Sequence, residues 1–340
     1  LDFGDDLSTS CGREIDPYNL RREHLPISWE RPLWIESCEN KVDILLSVLS
    51  GIQDIIEAHC PYSLILKKFS IPYVVYEAGW LRQIEEKNFT AIPEATVAYD
   101  KADGIIYTNS DMYHILRRRE EWFKKSVFIP FAVDAERYTT INESRRDNIR
   151  SLITSTNDFL VLGMARQHWS LKGSDALIEA FKIFHSNVPR SRLILIEWGY
   201  DLYRSKRLVW DLGLNDSVTW LPLLPKSKLI QLYNAVDVAC DQFKIGAWGT
   251  SFPEAMSCGR PTLMYWNKED VIREFGSCPP VPSAETVHDI VKELLRYHGL
   301  ISQNRIDEER KKCREWVKST HSLDIVGNKH ERFLEYVLTR

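Results

Sequence analysis

The second half of the chain alternates short apolar, β-branched runs with longer segments of helical periodicity. Such alternation is typical of βαβ units, in which a helix connects two parallel strands and covers one face of the sheet. The predicted strands are residues 159–162, 192–196, 218–221, 236–239 and 261–264, and the predicted helices are residues 174–186, 203–212, 226–234 and 251–257. These elements predict a Rossmann-like domain, whose ligands bind beyond the carboxyl ends of its strands.

The first half has a less regular pattern that predicts a second, smaller α/β domain. Strand-like runs cover residues 54–58, 73–76, 104–107 and 126–129, and helical patterns cover residues 61–69, 92–101 and 110–119. Residues 1–40 show no clear period, and their prolines and charges predict a loop-rich segment.

The polar stretch 139–144 is the predicted linker between the two domains, which we place at residues 1–145 and 146–340. Three helical segments are predicted to close the chain, at residues 284–299, 303–319 and 323–338. The expected fold class is therefore α/β, with two Rossmann-like domains and C-terminal helices.

Composition excludes several classes of function. The 44 basic and 48 acidic residues give a net charge of −4, so no overall attraction to nucleic acid is encoded, and a phosphate site must be local. The seven cysteines are odd in number and widely spaced, which favours reduced thiols in the cytoplasm. The acidic start is not a signal peptide, and no apolar run approaches the roughly 18 residues of a membrane helix.

Two basic residues follow the strand at 159–162, directly before a helix. Arg166 and Lys172 lie six positions apart at a carboxyl strand end, where a planar guanidinium and a point charge suit a diphosphate. The alternative is a solvated loop with two incidental basic residues.

A second motif runs from Gly246 to Glu254. Glycines allow close backbone approach, Thr250 or Ser251 can cap the predicted helix at 251–257, and the free amides of its first turn offer an anion site. A buried Glu254 needs a partner, which a pair of ribose hydroxyls would supply. The alternative is that Glu254 only complements the helix dipole.

Together the two motifs resemble those of the retaining glycosyltransferases of family 4, also called group 1, which have the GT-B fold. That family has Gly-Arg, a short spacer and Lys-Gly, where this chain has Ala165-Arg166 and Lys172-Gly173. Its second motif is Glu, seven residues, Glu, then Ala-Met-Ala-x-Gly-x-Pro. Glu254 and the stretch to Pro261 match that motif, and further similar segments extend the resemblance from residue 54 to residue 265.

The resemblance implies two domains facing a cleft and transfer of a sugar from a nucleoside-diphosphate sugar, with retention at the anomeric carbon. The first domain would take the acceptor and the second would bind the donor. The implied donor-site residues are Arg166, Lys172, Leu224, Gly246, Gly249, Thr250, Ser251 and Glu254. Among them, Arg166 and Lys172 would hold the diphosphate, Glu254 the ribose, and Leu224 the base through its backbone.

The chain departs from the family pattern at several positions. Gly246 replaces the first Glu, and Ala78 replaces the His of a frequent His-Gly pair, which leaves Gly79 as an acceptor-side candidate. Asp241 is a candidate catalytic residue beside Arg166 and Lys172 because it could supply the missing carboxylate, but it could equally be a loop or capping residue. The glycine-rich loop of the first domain is not found, so we hypothesise that this domain is truncated at its start.

The expected partners are a nucleotide-sugar donor and a glycan, lipid-linked or small-molecule acceptor, with no obligatory cofactor. The nine histidines form no metal-binding array, so no metal site is expected. His168 is a candidate for contact with the phosphate or, on the acceptor side, with the acceptor, and the alternative is an ordinary surface histidine. The cations and aromatics of residues 115–125 could rest on the inner face of a membrane, although an ordinary solvated helix face is the alternative.

Two rival hypotheses follow from the departures. Gly246 and Ala78 are compatible with a catalytically impaired GT-B subunit that binds nucleotide or glycan as a scaffold. The other rival is a GT-B sugar-nucleotide epimerase or phosphorylase, because one fold hosts several chemistries.

Overall fold

The computed structural model describes residues 55–59, 72–82, 93–154 and 158–340. Its first sheet has four parallel strands in the order β1-β2-β3-β4. These strands are β1 (Ile56–His59), β2 (Tyr73–Glu77), β3 (Gly104–Tyr107) and β4 (Ser126–Phe128). Every residue of β2 and β3 is buried, as expected for strands covered on both faces.

The helices of this region are α1 (Pro93–Lys101), α2 (Met112–Leu116) and α3 (Glu120–Phe123). The helix predicted over 110–119 is present as the shorter α2, and the backbone is extended at Arg119, directly before α3. Trp122 of α3 is 1% exposed, and its ring lies 4.8 Å from the Tyr99 ring. The helix predicted at 61–69 and the loop-rich segment at 1–40 lie outside the described residues.

The second sheet has five parallel strands in the order β7-β6-β5-β8-β9. They are β5 (Phe159–Gly163), β6 (Ser191–Ile196), β7 (Val218–Leu221), β8 (Val238–Cys240) and β9 (Thr262–Leu263). The chain proceeds outward from β5 to β7 and then returns to β8 on the other side of β5. The strand order therefore reverses between β5 and β8, which is where such sheets bind ligands.

Most helices of this part of the chain cover the two faces of this sheet, whereas the last one packs against the first sheet. The helices are α4 (Glu143–Ile153), α5 (Trp169–Lys172), α6 (Ser174–Asn187), α7 (Leu202–Asp211), α8 (Lys226–Ala235), α9 (Ser251–Ser257) and α10 (Lys268–Phe275), followed by α11 (Val287–Ser302), α12 (Asp307–Thr320) and α13 (Leu323–Leu338). Side chains of α6, α7 and α11 form one core, and those of α8, α9 and α12 form the other.

The last helix connects the two sheets. Val326, Phe333 and Val337 of α13 pack against β2 and β3 of the first sheet. A Cβ atom at Gly104 would lie 2.8 Å from the Phe333 ring, so this glycine permits the close approach of α13. The predicted linker at 139–144 ends inside α4, whose first residue is Glu143 and whose cap is Asn142. The division at residue 145 stays a prediction.

Candidate active site

The loop after β5 places Lys172 at the point where the strand order reverses. His168 caps α5 through its Nδ1 atom, which accepts from the Leu171 amide at 3.3 Å. Lys172 ends this short helix, because Gly173 follows with a φ of +64°. The Lys172 carbonyl accepts from the Phe243 amide at 2.9 Å, which ties the loop after β5 to the loop after β8.

The charges around Lys172 come from both domains. Burial lowers the pKa of Lys172, the negative charge of Asp241 opposes this effect, and the positive charge of Arg166 adds to it. Arg82 and Asp111, which follow β2 and β3 of the first sheet, also act on this ammonium group. Arg166, Lys172 and Asp241 therefore form one electrostatic cluster that faces the first domain.

Asp241 follows β8 directly and is 5% exposed. Burial raises the pKa of this carboxyl, whereas Lys172 and a hydrogen bond from the Ser251 hydroxyl lower it. The prediction that Thr250 or Ser251 caps α9 is wrong. Thr250 stands at the cap position without a side-chain cap hydrogen bond, and the Ser251 hydroxyl bonds Asp241.

Glu254 lies inside α9 and has partners that the sequence analysis missed. Its Oε1 atom accepts from Lys226 Nζ at 2.6 Å, and its Oε2 atom accepts from the Tyr233 hydroxyl at 3.2 Å. The Tyr138 hydroxyl also donates to this carboxylate. Lys226 and Tyr233 lie seven residues apart on α8 and so share one helix face, which is a signal that the sequence contains.

The two glycines of the second motif differ in their surroundings. Gly246 is buried with a φ of +77°, and a Cβ atom there would lie 3.1 Å from the Tyr265 ring. A Cβ atom at Gly249 would meet nothing within 4 Å. Leu224 is half-buried and packs against the core beside α8 and α9.

The end of β2 forms the facing side in the first domain. The Gly79 amide donates to Glu77 Oε1 at 2.5 Å, and this fully buried carboxylate also accepts from the Tyr99 hydroxyl. Burial raises the pKa of Glu77. Arg82 pairs with both oxygens of Asp111, at 2.7 and 2.8 Å. Glu77 was detectable as a charge at the end of an apolar run, whereas the pairing of Arg82 with Asp111 was not.

A sequence model of the family described as "Glycosyl transferases group 1" matches residues 144–313. The chain belongs to this family. The matched range contains Arg166, Lys172, Asp241 and Glu254, whereas Gly79 lies outside it. The resemblance to group 1 that the motifs indicated is thereby confirmed.

Two curated proteins are similar to this group 1 chain over part of its length. Mannosylfructose-phosphate synthase of Agrobacterium fabrum is 26% identical over 226 residues, which cover 64% of this chain and 49% of that protein. D-inositol 3-phosphate glycosyltransferase of Corynebacterium jeikeium is 23% identical over 142 residues, which cover 40% of this chain and 34% of that protein. The chain thus spans half or less of the length of these relatives.

Solved structures confirm the predicted GT-B fold of this group 1 chain. The Anabaena protein HepE, in complex with UDP and glucose, has a TM-score of 0.72 at 17% identity, with coverage of 88% of this chain and 83% of that one. Sucrose-phosphate synthase of Thermosynechococcus elongatus has a TM-score of 0.70 at 16% identity, with coverage of 90% and 79%.

The remaining predicted residues are His168 and the segment 115–125. His168 belongs to the second domain, where its ring lies 6.1 Å from that of Tyr200. In the segment 115–125, Ile115, Leu116 and Trp122 are buried, so its outer face is mainly charged. Within the described ranges, no helix is long and apolar enough to cross a membrane, and no three His, Cys, Asp or Glu side chains are grouped to hold a metal ion.

Proposed function

We propose that this chain transfers a sugar from a nucleoside-diphosphate sugar to a glycan, lipid-linked or small-molecule acceptor, with retention of anomeric configuration. One observation carries the proposal: Lys172, Asp241 and Glu254 converge where the strand order reverses, in a chain of the group 1 family. This edge of a parallel sheet is the usual place for a nucleotide.

Loss of the diphosphate leaving group develops negative charge, which Lys172 and Arg166 are suited to stabilise. Electrostatic groups fixed before the reaction lower the barrier because they need no reorganisation as charge develops. Lys172 meets this condition, since its backbone is tied to the loop after β8. Binding of a diphosphate would favour the ammonium form and so oppose the effect of burial on the pKa of Lys172.

Asp241 supplies a carboxylate on the same side of the site. Its position beside Lys172 and Ser251 suits contact with the transferred sugar, and it would take the role of the family's first Glu. Glu254 would bind the ribose, with Gly249, Thr250 and Ser251 at the distal phosphate, Leu224 and Gly246 beside the donor, and Gly79 on the acceptor side. No obligatory cofactor enters this scheme.

We propose a UDP sugar as the first donor to test, because HepE, which shares the fold, is in complex with UDP-glucose. We place the protein in the cytoplasm, in line with free thiols at Cys240, Cys258, Cys278 and Cys313. Contact of residues 115–125 with the inner face of a membrane belongs to the same proposal, and exposed Arg117, Arg118 and Lys124 support it.

Thermal-shift titration with UDP, GDP, ADP and their sugars tests the donor assignment, followed by analysis of the product's anomeric configuration. Lys172→Ala should lower the turnover of donor by about 10²- to 10³-fold, and Arg166→Ala and Glu254→Ala should weaken nucleotide binding. Lys311→Ala, at an exposed position on α12, is the control. Unchanged nucleotide binding in both Arg166→Ala and Glu254→Ala would show that the donor does not bind at this location.

A second candidate function is a nucleotide- or glycan-binding subunit without transfer activity. The observation that favours it is Gly246, whose positive φ and nearby Tyr265 ring leave no place for the family's first Glu. Nucleotide binding without transfer and without donor hydrolysis, over a broad panel of acceptors, would establish this alternative. Undiminished turnover in Asp241→Asn would exclude Asp241 from catalysis.

A further inference from the structure

A groove of about 460 Å³ lies on the second domain, beside the loop after β5. It is lined by residues 168–170, by Asp175 at the start of α6, by residues 200, 201 and 204, and by Lys244. Ligand pockets have volumes of roughly 300–1,000 Å³, so the groove is large enough for a small molecule or a sugar unit.

The groove is separate from the proposed nucleotide site. Its helices α6 and α7 pack into the core on one face of the sheet, whereas α8 and α9, which carry Lys226 and Glu254, pack into the core on the other. The turn of α5 lies between them, with His168 and Ser170 on the groove and Lys172 in the electrostatic cluster. The groove and the electrostatic cluster therefore have different lining residues, although both include part of the loop after β5.

One side of the groove is already ordered by internal contacts. Asp201 is buried and accepts from the Trp169 amide at 2.9 Å and from Arg204 Nη1 at 2.8 Å. The Arg204 guanidinium lies 4.0 Å from the centre of the Trp169 ring, and Trp169 Nε1 donates to Ser205 Oγ at 2.9 Å. These contacts hold the groove in shape without a ligand, which reduces the entropic cost of binding.

An exposed aromatic ring, that of Tyr200, also lines the groove. Tyr200 is 86% exposed, which leaves a large aromatic surface in water directly at the groove. Exposed aromatic surface next to convergent polar groups marks binding sites rather than core packing. A sugar ring suits this surface, because its C–H groups form an apolar face and its hydroxyls form a polar edge.

The charges of the groove favour a neutral ligand. The carboxylates of Asp175 and Asp201 balance the cationic groups of Arg204 and Lys244. Asp175 lines the groove with a half-buried carboxylate, which can accept from a hydroxyl, and Lys244 is exposed and can donate. A phosphate or nucleotide would need an excess of positive charge, which the balanced groove does not provide.

We propose that this groove is a subsite for a neutral sugar unit of a glycan acceptor, stacked on Tyr200 and hydrogen-bonded by Asp175 and Lys244. That the bound sugar is an acceptor rests on the proposed transferase function, but sugar binding in the groove can be tested alone.

The test is saturation-transfer NMR and titration of the full chain with maltotriose, cellotriose and mannotriose, each with and without UDP. At least one trisaccharide should bind in both conditions. Tyr200→Ala and Asp175→Asn should each weaken that binding at least about fivefold. Trp210→Ala is the matched control, because Trp210 is a 66% exposed aromatic residue on α7 outside the groove. This variant should bind the trisaccharide as well as the wild type does.

The outcomes separate this proposal from the donor assignment. Binding of UDP with no binding of any trisaccharide, or equal loss in Tyr200→Ala and Trp210→Ala, would overturn the subsite and leave the donor site intact. Displacement of the sugar by UDP would also overturn it, since the groove would then belong to the nucleotide site. Trisaccharide binding that depends on Tyr200, without binding of UDP, GDP or ADP, would support the groove and contradict the transferase proposal.

Discussion

Gly246 has a backbone conformation that excludes the side chain expected from the family pattern. Its φ of +77° is unfavourable for any residue with a Cβ atom, and its carbonyl is held by the Asn267 amide at 2.9 Å. The difference from the family is therefore a different loop conformation as well as a lost carboxylate. Asp241, which follows β8 directly in the same loop, is a carboxylate that interacts with Lys172.

Gly246→Glu should consequently destabilise the protein and fail to increase turnover. We expect a loss of about 1–3 kcal/mol in the free energy of unfolding, because a strained φ adds to crowding by Tyr265. Chemical denaturation measures this loss. Gly213→Glu is the control for φ alone, since Gly213 has a φ of +66° with nothing within 4 Å of its Cβ position, and it should lose less. If Gly246→Glu is as stable as the wild type, a residue with a Cβ atom is not strained at this position.

At the scale of elements, the loops after β5 and β6 are joined by backbone hydrogen bonds and a close contact at Gly199. A Cβ atom at Gly199 would lie 2.4 Å from the Gln167 carbonyl oxygen, and φ at Gly199 is +121°. The Gln167 amide donates to the Trp198 carbonyl at 2.8 Å, and the Asp201 amide donates to the Gln167 carbonyl at 2.9 Å. This contact positions Tyr200 and the start of α7 beside the turn of α5.

Gly199→Ala should separate these two loops. The added methyl group would meet backbone atoms that cannot move independently, so we expect a loss of about 2–4 kcal/mol in the free energy of unfolding. The matched control is Gly276→Ala, at a positive φ of 73° with open surroundings. Denaturant titration compares the two variants, and equal losses would show that crowding by Gln167 has no effect.

At the scale of the whole molecule, the domains are in contact at several places, and two of these places contain a histidine. In the first, the Arg273 guanidinium of α10 lies 3.6 Å from the centre of the Tyr113 ring, and His114 lies 2.7 Å from Asp270. In the second, His321 Nδ1 bonds the Phe131 carbonyl at 2.8 Å between α12 and α13. Because α13 packs on the first sheet, His321 lies where the chain crosses between the domains.

The free energy of unfolding of the protein should depend on pH through His321. Burial lowers the pKa of His321 to about 4, from an ordinary value of 6.5. As pH falls below 6.5, the unfolded chain binds a proton at this histidine, but the folded chain does not until about pH 4. The free energy of unfolding should therefore fall by about 3 kcal/mol across this window on account of His321.

Denaturant titrations between pH 7 and pH 4 measure this effect. His321→Gln keeps a donor for the Phe131 carbonyl but does not titrate, so its stability should decrease less than that of the wild type as the solution is acidified. The same pH dependence in wild type and variant would show that another group is responsible.

Much of the fold was predictable from sequence because hydrophobic periodicity is a local property. The helices predicted at 251–257 and 323–338 have those bounds in the structure, and the parallel arrangement of the second sheet followed from its βαβ pattern. The helix predicted at 110–119 is shorter in the structure, where α2 covers Met112–Leu116. The residue types of two motifs indicated Arg166, Lys172 and Glu254 as candidate site residues, and their roles stay predictions. The resemblance of these motifs to the group 1 family is confirmed by the family match.

Only the tertiary structure decided the partners of these residues. Tyr138 and Lys226 meet Glu254, and Arg82 and Asp111 act on Lys172 from the other domain, although each lies 28 or more residues away in sequence. The conformation of Gly246 and the packing of α13 on the first sheet also depend on neighbours distant along the chain. Periodicity determines which face of an element is buried, but side-chain neighbours are set only when the whole chain closes into one packed arrangement.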